Sequence, residues 1–167
     1  MGRCKNVSTP KGLTVGNRRM STHTQIYYHI VFSTKDRVPT LKADRREDLF
    51  RYTRGILKNR DCHLYRINGT EDHLHILTSL HPTMNLANLV KDIKTGTSLW
   101  IQEKSVFRSF AHWQDGYGAF THSKGDIDAL IEYIKRQVEH HHRTTFAEEY
   151  RKLLLEAGIE IDERYMP

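Results

Sequence analysis

Residues 62–80 read CHLYRINGTEDHLHILTSL and contain two strand-like runs separated by a turn signal. The runs at 62–67 and 73–80 are rich in the β-branched, aromatic and aliphatic residues that favour strands. Between them stand Asn68, Gly69, Thr70 and Glu71, and an Asn-Gly pair is a strong hairpin signal. The pattern therefore predicts an antiparallel hairpin over 62–80.

Four further segments surround this hairpin. Residues 24–33, TQIYYHIVFS, alternate apolar and other residues as a strand does. Residues 42–59 and 85–102 carry apolar side chains near helical spacing. Residues 113–122 are aromatic and contain glycine, which predicts a fourth strand with a bent or bulged course.

Two helices are predicted after the fourth strand. The segment 126–142 has one apolar stripe, and the segment 146–157 ends at Gly158, a good residue for a helix C-terminus. The predicted order is thus β-α-β-β-α-β-α-α. It favours an α+β fold of the ferredoxin-like, split β-α-β type, with an antiparallel sheet, helices on one face and extra C-terminal helices.

The chain has 167 residues, enough for one domain of ordinary size. Residues 1–20 lack periodicity and are predicted to form a disordered leader. We assign 21–145 to a single domain and 146–167 to a C-terminal helical extension.

The net charge of +6 is unevenly distributed. Residues 1–19 contain five basic residues and no acid, 148–167 carry a net −3, and +4 remains for 20–147. No stretch approaches the roughly 20 apolar residues of a membrane span. The two cysteines, Cys4 and Cys62, are too few for a disulfide framework and fit a reducing cytoplasm.

His73-Leu74-His75 is the first candidate for chemistry. Residues i and i+2 of a strand face the same side, so both imidazoles project from one face and can chelate one divalent ion. The simpler interpretation is a pair of partly exposed strand histidines. His29, on the first strand, is interpreted either as lying near this site or as a satisfied sheet residue.

Tyr133 and Gln137 are the second candidate, one helical turn apart. Glutamine offers a hard carbonyl oxygen suited to Mg²⁺ or Mn²⁺, and a tyrosine phenol can attack phosphorus. Tyr150 and Tyr165 lack a glutamine four positions later. The run at 140–142 of three histidines is interpreted mainly as a polar helix end.

His73-Leu74-His75 resembles the HUH motif, in which U is hydrophobic, and the Tyr133–Gln137 helix resembles the nucleophile helix of the single-tyrosine HUH transposases. These are the TnpA-type enzymes of the smallest bacterial insertion sequences, to which REP-associated tyrosine transposases are related. The resemblance spans about 24–145. Its further segments are Tyr28-His29-Ile30-Val31-Phe32 with Lys35-Asp36-Arg37, Ile93-Lys94-Thr95-Gly96-Thr97-Ser98, and Trp113-Gln114-Asp115-Gly116-Tyr117-Gly118.

The resemblance implies a chemistry. It assigns His73, His75 and Gln137 as ligands of Mg²⁺ or Mn²⁺ and Tyr133 as the nucleophile. The implied reaction is transesterification on single-stranded DNA through a 5′-phosphotyrosine, which cleaves DNA and transfers strands. The implied setting is the bacterial cytoplasm, in association with the nucleoid.

The resemblance also implies partners. It suggests a homodimer whose tyrosine helix acts in trans, and a single-stranded DNA substrate that carries a hairpin. Eight basic residues are candidates for contacts with DNA phosphates. They are Lys35, Arg37, Arg45, Arg46, Arg51, Arg54, Lys91 and Lys94.

Two other interpretations remain open. The protein could be a non-catalytic nucleic-acid-binding protein of ferredoxin-like fold, or a domesticated protein that binds hairpins. A structural transition-metal site is disfavoured by the glutamine ligand and by the lack of cysteine partners.

Overall fold

The computed structural model describes residues 23–141, 144–163 and 166. The predicted leader, 1–20, and Tyr165 lie outside the described residues. Two short 3₁₀ turns, Lys35–Arg37 and Lys124–Asp126, accompany the main elements. Those elements are β1 (Tyr27–Ser33), α1 (Ala43–Asn59), β2 (His63–Gly69), β3 (His73–Ser79), α2 (Leu86–Lys104), β4 (Gly118–His122), α3 (Ile127–Lys135), α4 (Gln137–His140) and α5 (Phe146–Glu156).

The four strands form one sheet in the order β2-β3-β1-β4, with every neighbouring pair antiparallel. The helices α1 and α2 cover one face. There Ile30 and Leu74 join Leu49 of α1 and Ile93 of α2 in a fully buried core. This arrangement confirms the predicted α+β, ferredoxin-like fold.

The C-terminal helices pack on the opposite face of the sheet. Leu77 of β3 contacts Leu130 and Ile134 of α3, and Val31 of β1 packs with Phe146 of α5. Leu77 is two residues from His75, so this face is the one that also presents the histidines of β3. The fold therefore encloses that pair between the sheet and the extra helices.

The hairpin turn differs from the prediction. Asn68 and Gly69 belong to β2, and the turn is formed by residues 70–72. A Cβ on Gly69 would lie 2.2 Å from the carbonyl oxygen of His73. Glycine is therefore needed for the close approach of the two strands, where the prediction had placed it in the turn.

Two other predicted elements are shorter than expected. The strand predicted over 113–122 begins only at Gly118, because Gly116 has a φ of +79° and turns the chain out of the extended conformation. The helix predicted over 126–142 is divided at Arg136 into α3 and α4. The remaining elements agree with the prediction to within three residues at each end.

None of the helices in the described part of the chain is long and apolar enough to cross a membrane.

Candidate active site

His73 and His75 project from β3 toward α3 and α5. Both side chains are fully buried, and neither Nε2 atom has a hydrogen-bond partner among the described residues. Both nitrogens face the same carboxylate oxygen, Oε2 of Glu149, at 3.8 Å from His73 and 3.4 Å from His75. Two buried ligand atoms therefore converge on one point, as the His-x-His spacing predicts.

The ring of His73 is oriented by the turn that precedes it. Its Nδ1 lies 2.7 Å from Oδ1 of Asp72 and 2.8 Å from Oγ1 of Thr70. Burial lowers the pKa of His73 to about 4, although the hydrogen bond with Asp72 acts in the opposite direction. A neutral ring that gives its Nδ1 hydrogen to a carboxylate keeps a lone pair on Nε2, which is the usual arrangement of a metal-binding histidine.

His29 orients the ring of His75. Its Nε2 lies 2.9 Å from Nδ1 of His75, and the two rings are stacked. Burial, together with the nearby His75 and His122, holds the pKa of His29 well below its usual value. A neutral His29 that accepts from Nδ1 of His75 leaves the Nε2 lone pair of His75 free. Of the two interpretations of His29, the structure favours the one that places it near the site.

Tyr133 of α3 and Gln137 at the start of α4 meet this pair from the other side. The hydroxyl of Tyr133 donates a hydrogen bond to Oε1 of Glu149, and Nε2 of Gln137 donates to the same oxygen at 2.9 Å. Gln137 is fully buried, and its own Oε1 has no partner among the residues described. The structure thus brings together the four residues that the resemblance singled out.

The break between α3 and α4 has an identifiable cause. Nδ2 of Asn68 lies 2.9 Å from the carbonyl oxygens of both Ile134 and Lys135. In an uninterrupted helix these carbonyls accept hydrogen bonds from the amides of residues 138 and 139. Asn68 is paired with His75 across the sheet. Asn68 lies on β2, so the hairpin that carries the histidines is tied through β2 to the helix that carries Tyr133.

Glu149 of α5 and His141, just after α4, are the functional candidates that sequence reasoning missed. Glu149 is only 2% exposed, and its Oε2 accepts a hydrogen bond from Nε2 of His141 at 2.8 Å. A signal for Glu149 was present in the sequence. It lies three residues after Phe146 and four before Leu153, so a charged residue occupies the apolar stripe of α5.

Four of these residues form a cluster that could hold a metal ion. One ligand atom from each of His73, His75, His141 and Glu149 lies within 4.8 Å of all the others. Burial alone would raise the pKa of Glu149, but the hydrogen bond with His141 and the close approach of His75 hold it far below the usual carboxyl value. The cluster therefore supplies three imidazoles and an ionised carboxylate.

The same carboxylate controls the state of the phenol. Burial raises the pKa of Tyr133, and the negative charge of Glu149 raises it further. The phenol is therefore protonated at neutral pH and acts as a hydrogen-bond donor. Any reaction at the phenolic oxygen requires an acceptor for this proton.

The predicted DNA-binding residues fall into two groups. Lys35 is half-buried, and five others are exposed on the turn after β1 or on α1 and α2: Arg37, Arg45, Arg51, Arg54 and Lys91. Arg46 is buried, and its guanidinium donates to the carbonyls of Leu41 and Gly69. Lys94 donates to the carbonyls of Gln114 and Gly116. Arg46 and Lys94 thus bind backbone carbonyls of the chain itself, and contact with DNA stays a prediction for all eight residues.

Comparison with known proteins identifies relatives. The sequence profile of the family described as transposase IS200 like matches residues 22–137. A candidate transposase from Deinococcus radiodurans R1 is 20% identical with a TM-score of 0.56, and the alignment covers 74% of this chain and 98% of that one. A REP-associated tyrosine transposase bound to a REP hairpin is 15% identical with a TM-score of 0.55, covering 72% of this chain and 74% of that one. No curated protein matches the sequence.

At such identities the two structures show a shared fold and nothing more. The family match is the stronger finding, because it covers more than half of the chain and includes His73, His75, Tyr133 and Gln137. It ends before His141 and Glu149, which come from the segment beyond it. On this evidence, the chain belongs to the IS200-like transposase family.

Proposed function

We propose that this protein cleaves and rejoins single-stranded DNA by transesterification, with Tyr133 as the nucleophile. The observation that carries the proposal is the convergence of the Tyr133 hydroxyl and of two unpartnered histidine nitrogens on the buried carboxylate of Glu149. In the proposed step the phenolic oxygen bonds to phosphorus while the bond from phosphorus to the 3′ oxygen breaks. The products are a 5′-phosphotyrosine and a free 3′-OH. The 3′-OH of another strand end can reverse the step and so transfer the strand.

The phenolic proton needs a destination in this step. A free phenol has a pKa near 10 and is a poor nucleophile at neutral pH. Oε1 of Glu149 accepts the hydrogen bond from Tyr133, so we propose that it receives the proton as the bond to phosphorus forms, because the phenolic oxygen becomes strongly acidic only then. The proton then passes to the departing 3′ oxygen, which leaves as a hydroxyl. The charge and the proton count are thereby balanced.

We propose Mg²⁺ or Mn²⁺ as the cofactor, held by His73, His75 and Gln137. The residues fit this role because the Nε2 atoms of the two histidines and Oε1 of Gln137 are buried and have no hydrogen-bond partner in the part of the chain described. When bound, such an ion polarises the phosphate oxygens and neutralises the charge that develops on them.

The proposed substrate is single-stranded DNA that carries a hairpin, within the cytoplasm of a bacterial cell. Support comes from the neighbour that was solved bound to a REP hairpin. The exposed basic residues are the candidates for phosphate contacts. Among them, Lys35 and Arg37 lie on a turn that is bonded to the site, because the amide of Thr34 donates a hydrogen bond to the carbonyl of Asp72, next to His73.

A homodimer with the tyrosine helix in trans stays a prediction from the resemblance. Within one chain, α3 packs on its own sheet and Tyr133 reaches the carboxylate beside its own histidines. This packing favours action in cis. Mixing Tyr133→Phe with His75→Ala separates the two arrangements, because exchange of helices in trans restores one complete site and action in cis restores none.

The central experiment detects the covalent intermediate. The protein is incubated with hairpin-bearing single-stranded DNA and Mg²⁺ or Mn²⁺, with the label at either the 5′ or the 3′ end. A 5′-phosphotyrosine transfers only the 3′-end label to the protein, because the fragment upstream of the cut is released. We expect Tyr133→Phe to abolish the labelled protein.

Tyr150→Phe is the matched control, since Tyr150 also lies close to this face of the sheet. It is expected to form the adduct as the unmodified protein does. An adduct that survives Tyr133→Phe and disappears in Tyr150→Phe would assign the nucleophile differently. Hairpin binding without any adduct would favour the non-catalytic, hairpin-binding alternative.

A further inference from the structure

We propose that His141 and Glu149 join His73 and His75 in a closed, four-ligand site for a tetrahedral transition-metal ion of the zinc class. Two of the ligands come from the sheet and two from the segment that follows the family match. The proposal rests on the proposed function only in that the same two histidines would hold the ion. It replaces Gln137 by His141 and Glu149 in the ligand set, and it replaces Mg²⁺ or Mn²⁺ by an ion of the zinc class.

The spacing of the ligand atoms fits such an ion. Ligands bound at about 2.0–2.1 Å from one zinc ion lie roughly 3.4 Å apart at the corners of a tetrahedron. Oε2 of Glu149 lies 2.8 Å from Nε2 of His141, 3.4 Å from that of His75 and 3.8 Å from that of His73. These three distances lie within about 0.6 Å of the tetrahedral value, and the three distances between the histidine nitrogens are all within 4.8 Å.

The two strand histidines are also oriented for this purpose by other side chains. Asp72 and Thr70 hold Nδ1 of His73, and His29 holds Nδ1 of His75, so both Nε2 lone pairs point into the cluster. Buried polar atoms without partners are costly and rare in folded proteins. A metal ion at this point satisfies the Nε2 atoms of both histidines at once.

The ligand set determines the preferred metal. Three imidazoles and one carboxylate suit zinc and its transition-metal neighbours, whereas Mg²⁺ favours oxygen ligands in octahedral geometry. Nε2 of Gln137 and the hydroxyl of Tyr133 both donate to Oε1 of Glu149, which leaves Oε2 for the ion. In this conformation Gln137 supports a ligand through its amide nitrogen.

Four protein ligands leave a tetrahedral ion without an open position. Sites that are closed in this way are structural, while catalytic zinc sites keep one position for water or substrate. Withdrawal of His141 alone would open one position, while Glu149 stays hydrogen-bonded to Tyr133 as the proposed reaction needs. The C-terminal segment therefore determines whether the ion is enclosed or available to a phosphate.

Metal binding by the metal-free full chain tests the proposal without reference to DNA cleavage. Co²⁺ serves as a spectroscopic probe, since tetrahedral Co²⁺ absorbs visible light far more strongly than octahedral Co²⁺. We expect one Co²⁺ per chain with the intense tetrahedral spectrum, displaced by Zn²⁺ and not by Mg²⁺. The affinity for Zn²⁺ is measured by competition with a chelator.

The variants Glu149→Gln and His141→Gln are each expected to weaken Zn²⁺ binding by more than ~100-fold, because even an outer partner of a ligand contributes 10–100-fold. Glu148→Gln and His140→Gln are the neighbouring controls. Glu148 is exposed and its glutamine replacement keeps the capping box, while His140 lies outside the cluster. Both controls are expected to bind Zn²⁺ as the unmodified chain does.

An octahedral Co²⁺ spectrum of the unmodified protein would overturn the proposal even if the variants failed to fold. So would unchanged Zn²⁺ affinity in well-folded Glu149→Gln and His141→Gln. Failure of the proposed function has a different signature. A chain that binds Zn²⁺ tetrahedrally and forms no covalent DNA adduct would support the four-ligand metal site and contradict the transesterification proposal.

Discussion

The side-chain amide of Asn68 donates a hydrogen bond to the carbonyl oxygen of Ile134 across 2.9 Å. It makes a second bond of the same length to the next carbonyl, that of Lys135. Asn68 stands opposite His75 in the sheet, and Ile134 follows Tyr133 in the chain. One side chain therefore sets the relative position of the histidine strand and the tyrosine helix.

Replacement of Asn68 by alanine is expected to lower the free energy of unfolding by about 1–2 kcal/mol, because two hydrogen bonds to backbone carbonyls are lost. DNA adduct formation should fall by more than the loss of stability explains, since α3 is released from β2. Chemical denaturation and the adduct assay measure the two effects. Asn59→Ala, at the exposed end of α1, should change stability by less than ~0.5 kcal/mol. Equal effects of the two variants would contradict this role of Asn68.

His29→Phe is expected to weaken metal binding ten- to 100-fold, about the cost of removing the partner that orients a ligating histidine. The substitution keeps an aromatic ring in a buried position and removes both ring nitrogens, including the Nε2 that pairs with Nδ1 of His75. Chelator competition gives the affinity. His63→Phe, on the exposed surface of β2, serves as the control and should bind metal normally. A His29→Phe protein with unchanged affinity would show that His75 needs no such partner.

Two glycine-to-alanine substitutions should have opposite effects on stability. At Gly69 a Cβ would lie 2.2 Å from the carbonyl oxygen of His73, so Gly69→Ala must separate the strands, at a cost of about 1–3 kcal/mol. At Gly55, within α1, nothing lies within 4 Å of the added Cβ. Gly55→Ala should therefore stabilise the protein by about 0.5–1 kcal/mol, since alanine is the better helix former. Urea denaturation of both variants checks the pair, and destabilisation by both would count against the described packing at Gly55.

Lys94 should titrate below the usual range for lysine. Burial lowers its pKa to about 8, and nearby Asp115 opposes this shift. The unfolded chain then binds the proton more tightly than the folded chain, so this residue makes stability rise as the pH increases from about 8 toward the unfolded pKa. Carbon-13 methylation followed by NMR titration gives the midpoint directly. The resonance that is lost in Lys94→Met identifies the residue.

The Lys94→Met protein provides the matching stability measurement. Its free energy of unfolding should increase less steeply with pH above 8 than that of the unmodified protein, because the proton linkage at residue 94 is gone. Parallel curves for the two proteins, or a Lys94 resonance that titrates only in the normal range for lysine, would contradict the described burial of its ammonium group.

The local patterns of the sequence were sufficient to predict the main secondary-structure elements and the site residues that stand within a few positions of each other. Alternation with period two placed His73 and His75 on one face of a strand, and the i, i+4 spacing placed Tyr133 and Gln137 one turn apart. The patterns were less reliable where a distant contact intervened. Asn68 donates hydrogen bonds to two carbonyls that lie 66 and 67 positions later in the chain, and no local periodicity contains that information.

The basic residues illustrate the same limit. Arg46 and Lys94 cannot be distinguished by composition from exposed neighbours such as Arg45 and Lys91. Only the packing of α1 and α2 against the turns reveals that their charges are directed to backbone carbonyls of the protein itself. A count of charges therefore overestimates the surface that is available to DNA.

The sequence by itself determined the order of the elements, the two faces of the sheet and the residues that mark the family, because these depend on neighbours a few positions apart. Only the tertiary structure decided that His29, His141 and Glu149 enter the same buried site. Glu149 meets Tyr133 from 16 positions away, and His29 meets His75 from 46 positions away. Contacts at such separations arise when helices pack on a sheet. Burial then excludes water, so the charges and lone pairs of these side chains interact with one another.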